Sequence, residues 1–241
     1  MHKQLFLIIT IFTFFTHASD QNLTASIVSH TASPKDIRFF LKAPSGENFA
    51  NFHNLKTWLG GQNKQLLFAM NGGMYLKDLT PQGLYIENGK IIKETDTTET
   101  AYGNFYMQPN GIFYITQERR AAVVATKRFI KHAPKNIAFA TQSGPMLLND
   151  GKIHPKFMPG SKNLHIRNGV GILPDGKLLF AISKERINFY DFASFFKQNG
   201  CQNALYLDGF VSRIYLPQKN IIQYDSRFGV IIAEIADEEK H

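Results

Sequence analysis

The 241 residues predict a single α+β domain in which a hairpin-rich, mixed β-sheet carries a few packed helices. Three observations lead there. Asn-Gly and Asp-Gly dipeptides recur between short apolar runs, and they tolerate the positive φ angles that tight hairpin turns demand. Two other segments place apolar residues every three or four positions, the period of a helix lying on a core. Finally, 44% apolar residues against 19% charged ones, with no Pro/Gly/Ser-rich linker, suit one packed domain rather than a disordered chain or a coiled coil.

From the N-terminus, Lys3 precedes an apolar run, Leu5–Phe15, and Thr16-His17-Ala18 then offers small residues at the −3 and −1 positions of a cleavage site. That layout predicts a signal peptide over 1–18 and a mature domain over 19–241. The run falls short of the about 20 apolar residues that a spanning helix needs, so no integral membrane span is expected after cleavage. Residues 47–59 place Phe49, Phe52, Leu55 and Leu59 on one helical face, and Gly60-Gly61 stops it. Strands are expected at 65–69, 84–86 with 91–93, 112–116 with 121–126, and 137–141. Further strands are expected at 146–148 with 153, 169–173 with 178–182, 204–207, 211–216 and 229–235. The turns between them are Asn88-Gly89, Asn110-Gly111, Asp150-Gly151 and Asp175-Gly176. A second helix starts after Asn188, a good N-cap with Asp191 three residues on. Its Phe189, Phe192, Phe195 and Phe196 stripe reads as core, and Gly200 closes it.

Charge and cysteine content bound the function. The net charge is +8, but Lys and Arg are scattered singly, and an exported protein meets little nucleic acid, so no nucleic-acid partner is expected. The single cysteine, Cys201, excludes an internal disulfide and any Cys-based zinc or iron–sulfur site, and in an oxidising compartment it reads as a small buried residue. His154 and His165 lack the spacing of a metal-ligand set, so neither metal nor cofactor is expected.

Chemistry points to glycine-marked elbows at strand ends, where a rigid scaffold holds polar groups open to solvent. Leu66–Met70 runs into Asn71-Gly72-Gly73-Met74-Tyr75. Arg167-Asn168-Gly169 heads another strand, and Ala204–Leu207 ends in Asp208-Gly209 with Ser212-Arg213 beyond. Thr141-Gln142-Ser143-Gly144-Pro145 has the same character. Each alone reads as an ordinary turn. Read in order with Gly83–Lys90 (GLYIENGK), Met107–Thr116 (MQPNGIFYIT), Gly151–Phe157 (GKIHPKF) and Asn188–Phe196, the set resembles the bacterial, exported branch of the phosphodiester glycosidase family over roughly residues 35–235. That is the family of the lysosomal uncovering enzyme.

The resemblance implies hydrolysis of a sugar-1-phosphodiester, with a phosphorylated or phosphodiester-linked carbohydrate as partner. By matching positions, Asn71, Gly72, Gly73, Arg167, Asp208 and Gly209 line the site, and Ser212 takes the place of the family's last serine. Ser143, Gly144 and Arg213 join them. Phe210-Val211 stands where the family has glycines, which reshapes the pocket beside Asp208. The chemistry suits these residues. Phosphate leaves an anomeric carbon with its charge already in place, so a general acid matters less than a cation and a carboxylate. Arg167 fits the phosphate through bidentate hydrogen bonds, and Asp208 fits as nucleophile or as base for water. Asn71 offers a hydrogen bond to sugar or phosphate, beside the N–H groups of Gly72 and Gly73. Glu87 and Asp78 are reserve carboxylates. The rival readings are a serine hydrolase using Ser143 or Ser212, which lacks the nucleophile-elbow motif, and a periplasmic or secreted glycan-binding module that cleaves nothing.

Overall fold

The computed structural model describes Leu23, residues 25–208 and residues 210–238; the expected leader, 1–18, and Gly209 lie outside the described residues. In chain order the strands are β1 (Ile27–Ala32), β2 (Ile37–Phe40), β3 (Lys64–Asn71), β4 (Tyr85–Glu87), β5 (Lys90–Lys93), β6 (Gly111–Thr116), β7 (Ala121–Ala125) and β8 (Ile137–Ser143). There follow β9 (Met146–Asn149), β10 (Lys152–Ile153), β11 (Asn168–Ile172), β12 (Leu178–Ser183), β13 (Ala204–Tyr206), β14 (Ile214–Leu216), β15 (Ile221–Ile222) and β16 (Ile231–Asp237). Helices α1 (Phe52–Gly60), α2 (Thr126–His132) and α3 (Phe189–Gln198) follow β2, β7 and β12.

The α+β class holds, but the strands form three sheets, ordered β1-β12-β11-β13-β9-β10, β15-β14-β3-β16-β2 and β5-β4-β8-β6-β7. Their registered pairs are antiparallel rather than mixed. The helices explain this. Each carries the chain over one strand: α1 over β16, α2 over β6 and α3 over β11. The crossed strand runs the other way, so the two strands that a helix joins are parallel but never neighbours.

One face of each sheet packs into a shared centre, where Phe39, Phe68, Phe113, Phe139 and Phe180 meet Leu205 and Leu207. Each outer face is covered by a helix. Phe52, Leu55 and Leu59 of α1 cover Leu66, Ala69 and Ile231; Phe129 of α2 covers Ile112 and Ala140; the Phe stripe of α3 covers Leu147, Leu179 and Ala204. The stripe lies close because β11 is glycine-marked. A Cβ on Gly169 would stand 2.8 Å from the Leu205 carbonyl, and one on Gly171 would stand 2.8 Å from the Phe196 ring. Truncating Phe192, which is fully buried, removes roughly 3–5 kcal/mol by transfer and cavity terms.

The local signals act as expected, with informative exceptions. Asn88-Gly89 and Asp150-Gly151 both adopt positive φ at the β4–β5 and β9–β10 turns. Asn188 caps α3 by accepting the Asp191 N–H at 2.9 Å. The first helix begins later than 47, because Asn51 accepts the Asn54 N–H at 2.9 Å while Ala50 sits at φ 63. Phe49 therefore packs from the preceding loop. Helix α2 is not among the expected elements, since the expected strand runs to Thr126, where the helix begins; its seven residues are too few to display a period. Among the described residues, no helix is long and apolar enough to cross a membrane.

Candidate active site

The polar ends of β3, β8, β11 and β13 gather at one end of the three sheets. There Asn71 ends β3, Ser143 ends β8, Asn168 opens β11, and Asp208 follows β13. Asn168 joins them. It is fully buried, donates from Nδ2 to the Asn71 carbonyl at 3.1 Å and to Asn71 Oδ1 at 2.9 Å, and accepts the Asp208 N–H at 3.0 Å. Asn71 Nδ2 in turn donates to the Val211 carbonyl at 2.5 Å and lies 3.4 Å from Asp208 Oδ2. Asn71 Oδ1 also accepts the Arg213 N–H at 2.8 Å. The two asparagines thus pin both arms of the loop that bears Asp208.

The other expected residues complete that frame. Ser212 Oγ donates to the Asp208 carbonyl at 2.9 Å, and Ser143 Oγ donates to the Leu207 carbonyl, so neither hydroxyl is engaged with an imidazole. His154 bonds the Gln108 carbonyl and the Lys156 N–H instead. The Gly72 N–H is taken by the Val230 carbonyl at 2.7 Å. Gly72 and Gly73 are needed for close approach: a Cβ would meet Val230 Cγ1 at 2.6 Å from the first, and the Gln142 carbonyl at 2.5 Å from the second. Gly144 packs likewise, with Asn110 Cβ 2.7 Å from where its own Cβ would stand. Arg213 forms a two-pronged ion pair with Asp225, at 2.9 and 2.8 Å. Asp78 accepts the Thr80 N–H in an exposed turn, and Glu87 accepts from the Tyr85 hydroxyl in β4.

Arg167 is the principal departure from expectation. Its side chain is fully buried, stacks 3.5 Å above the Phe189 ring, and donates to the Ile187 carbonyl at 2.8 Å and the Tyr206 hydroxyl at 3.3 Å. Its remaining contacts are the Asn163 carbonyl at 2.9 Å and Asn163 Oδ1 at 2.8 Å. Burial holds its pKa below the usual value, partly offset by Tyr206. The guanidinium therefore faces protein acceptors and is not part of the cavity wall that Asp208 reaches.

That cavity holds about 420 Å³. Its lining comprises Met74, Tyr75, Leu76 and Lys77 from the segment after β3, Asp208, Phe210 and Val211 from the loop after β13, and Gln82, Asn104 and Arg227. Asp208 is only 4% exposed, and its Oδ1 accepts the Phe210 N–H at 2.9 Å. Among the described residues it is the only carboxylate in a lining that also holds two cations, Lys77 and Arg227. Tyr75 donates from its hydroxyl to the Arg227 carbonyl at 3.0 Å, and its pKa is pushed up to about 12, first by burial and then by Asp208. Larger grooves of about 580 Å³ lie elsewhere, but their charged linings come from sheet edges away from the gathered strand ends.

Sequence reasoning missed Asn168, Tyr75, Lys77 and Arg227. Asn168 had a usable signal, an amide heading a buried strand that is otherwise apolar. Arg227 had none, because only folding brings it to Tyr75. Gln142 is a further hidden tie: its side chain accepts from Leu84 N and Asp96 N and donates to the Asp96 carbonyl, closing the loop ahead of the cavity.

The phosphodiester glycosidase family model matches residues 64–227, more than half of the chain. The chain is 35% identical to the uncharacterized protein YigE of Escherichia coli K12 over 221 residues, 89% of this chain and 85% of that one. Its fold is similar to the catalytic domain of zebrafish N-acetylglucosamine-1-phosphodiester alpha-N-acetylglucosaminidase, auto-inhibited by its pro-peptide, at a TM-score of 0.59 and 15% identity, covering 86% of this chain and 81% of that one. An exported-protein candidate of Burkholderia pseudomallei matches at a TM-score of 0.57 and 10% identity, over 86% of this chain and 73% of that one. The motif order read from the sequence, the matched span and the shared fold agree: this chain belongs to the phosphodiester glycosidase family.

Proposed function

We propose that the chain is an exported hydrolase that cleaves a sugar-1-phosphodiester, with Asp208 as the catalytic carboxylate. One observation carries the reading: among the described residues, the cavity lining combines a single carboxylate with two cations. Ordinary glycoside hydrolysis uses a pair of carboxyl groups, one of them protonating the leaving alcohol. A phosphodiester leaves as an anion and asks for no such proton, while its charge asks for cations. Asp208 serves the anomeric carbon directly or through water, with Asn71 and the Phe210 N–H orienting its two oxygens. Lys77 and Arg227 take the phosphate oxygens, a contact worth more in a partly enclosed site than in open water. Arg167, expected from sequence to hold the phosphate, is assigned a positioning role: it braces Tyr206, two residues before Asp208.

The test is hydrolysis of the methyl and phenyl phosphodiesters of N-acetylglucosamine 1-phosphate by wild type and Asp208→Asn. Turnover is expected to fall by about 10³ or more in the variant, with substrate binding retained. Equal behaviour of the two proteins, binding without turnover in both, would replace the hydrolase with a phosphoglycan-binding module.

A further inference from the structure

We infer that Phe210 is a stacking platform for the sugar ring and sets the carbohydrate preference of this site. The inference rests on the reading of Asp208 as the carboxylate that meets the anomeric carbon. Phe210 is 97% exposed and lines the cavity. An apolar ring left almost wholly in water adds little to the fold, and at the wall of a cavity it is free to cover a ligand, as aromatic side chains in ligand sites do.

Its placement says what that is. The Phe210 N–H donates to Asp208 Oδ1 at 2.9 Å, so the backbone that bears the ring is tied to the carboxylate. The loop around it is held on both sides, by Asn168 at the Asp208 N–H and by Asn71 at the Val211 carbonyl. A side chain on a braced loop is presented with little ordering cost. With phosphate at Lys77 and Arg227 and the anomeric carbon at Asp208, the group beside Phe210 is the pyranose. Its C–H face is apolar and flat enough to lie on an aromatic ring. The aglycone leaves from the cationic side, past Lys77 and Arg227.

Phe210 is therefore a specificity residue, and replacing it removes binding of the sugar rather than of the phosphate. Calorimetry on the full chain would compare wild type, Phe210→Ala and Phe210→Trp with three probes: N-acetylglucosamine 1-phosphate, its octyl phosphodiester bound to the Asp208→Asn background, and inorganic phosphate. The platform predicts that Phe210→Ala weakens the sugar phosphate by about two- to tenfold, the range of an aromatic contact, and that Phe210→Trp restores it. Inorganic phosphate is expected to bind all three proteins alike. An unchanged affinity for the sugar phosphate, or no binding of it by wild type, overturns the inference. So does a loss seen with the octyl diester alone, which places the aglycone on the ring. If the platform pattern appears without any hydrolysis by wild type, the stacking role stands and the catalytic reading falls. If wild type hydrolyses the diesters and Phe210→Ala binds and reacts as wild type does, the reverse holds.

Discussion

Replacing Asn168 by alanine tests whether the site is built from a buried amide network. The side chain makes three hydrogen bonds with no exposure to water. Its loss strands the Asp208 N–H and the Asn71 carbonyl, whereas Asn71 Oδ1 keeps the Arg213 N–H. At roughly 1–3 kcal/mol for each stranded buried group, the cost is about 2–6 kcal/mol. That is a large part of a typical total stability of about 5–15 kcal/mol. For a chain of this size each kcal/mol moves the midpoint by about 2–4 °C, so calorimetry should show a fall of roughly 5–20 °C. Turnover on the methyl phosphodiester should fall further than the folded fraction accounts for, because the loop bearing Asp208 loses one of its two braces. Asn168→Asp keeps the acceptor for Asp208 N–H but sets a second carboxylate beside the first, so it should recover part of the stability and none of the activity. A midpoint within about 2 °C of wild type, with turnover kept within about twofold, would refute the network argument.

The two kinds of arginine should separate in the same assays. Arg167→Lys should lower the melting midpoint, since losing the fork strands the Tyr206 hydroxyl at roughly 1–3 kcal/mol, while the Ile187 carbonyl keeps the His165 N–H. Arg227→Ala should leave the midpoint nearly unchanged and raise KM; a KM effect confined to Arg167→Lys would move the phosphate back to Arg167. His154 is held below its ordinary pKa of 6.5, mainly by burial, and its ring already accepts the Lys156 N–H, so the folded state resists protonation. The unfolded chain then binds more protons as pH falls, and the contribution of His154 is full above about pH 6.5 and lost as pH drops through the folded value. The midpoint measured from about pH 7 to pH 5 should fall less steeply in His154→Asn than in wild type. Cys201 is buried and its thiol is pushed up to about 11 by that burial, so iodoacetamide should label it only in denaturant.

Much was legible along the chain because it is decided by neighbours in sequence. The paired positive φ angles at Asn88-Gly89 and Asp150-Gly151, the Asn188 cap and the Phe stripe of α3 each depend on a few adjacent residues and the period of one element. The elbows at Asn71 and Asp208 were visible for the same reason, as polar residues ending apolar strands. Their union was not. Asn71 and Asp208 stand 137 residues apart, and only the packing of the sheet edges brings them within 3.4 Å.

The order of the motifs along the chain, through the family resemblance, singled out an arginine, a carboxylate and an amide at these strand ends. Tertiary structure decided which way each one faces. Arg167 heads its strand as expected, yet Phe189, Ile187 and Asn163 close over its guanidinium and turn it inward. Lys77 and Arg227, in loops with no motif, reach the cavity instead. A side chain's direction depends on what packs above it, and that neighbour comes from a part of the chain that local sequence cannot weigh.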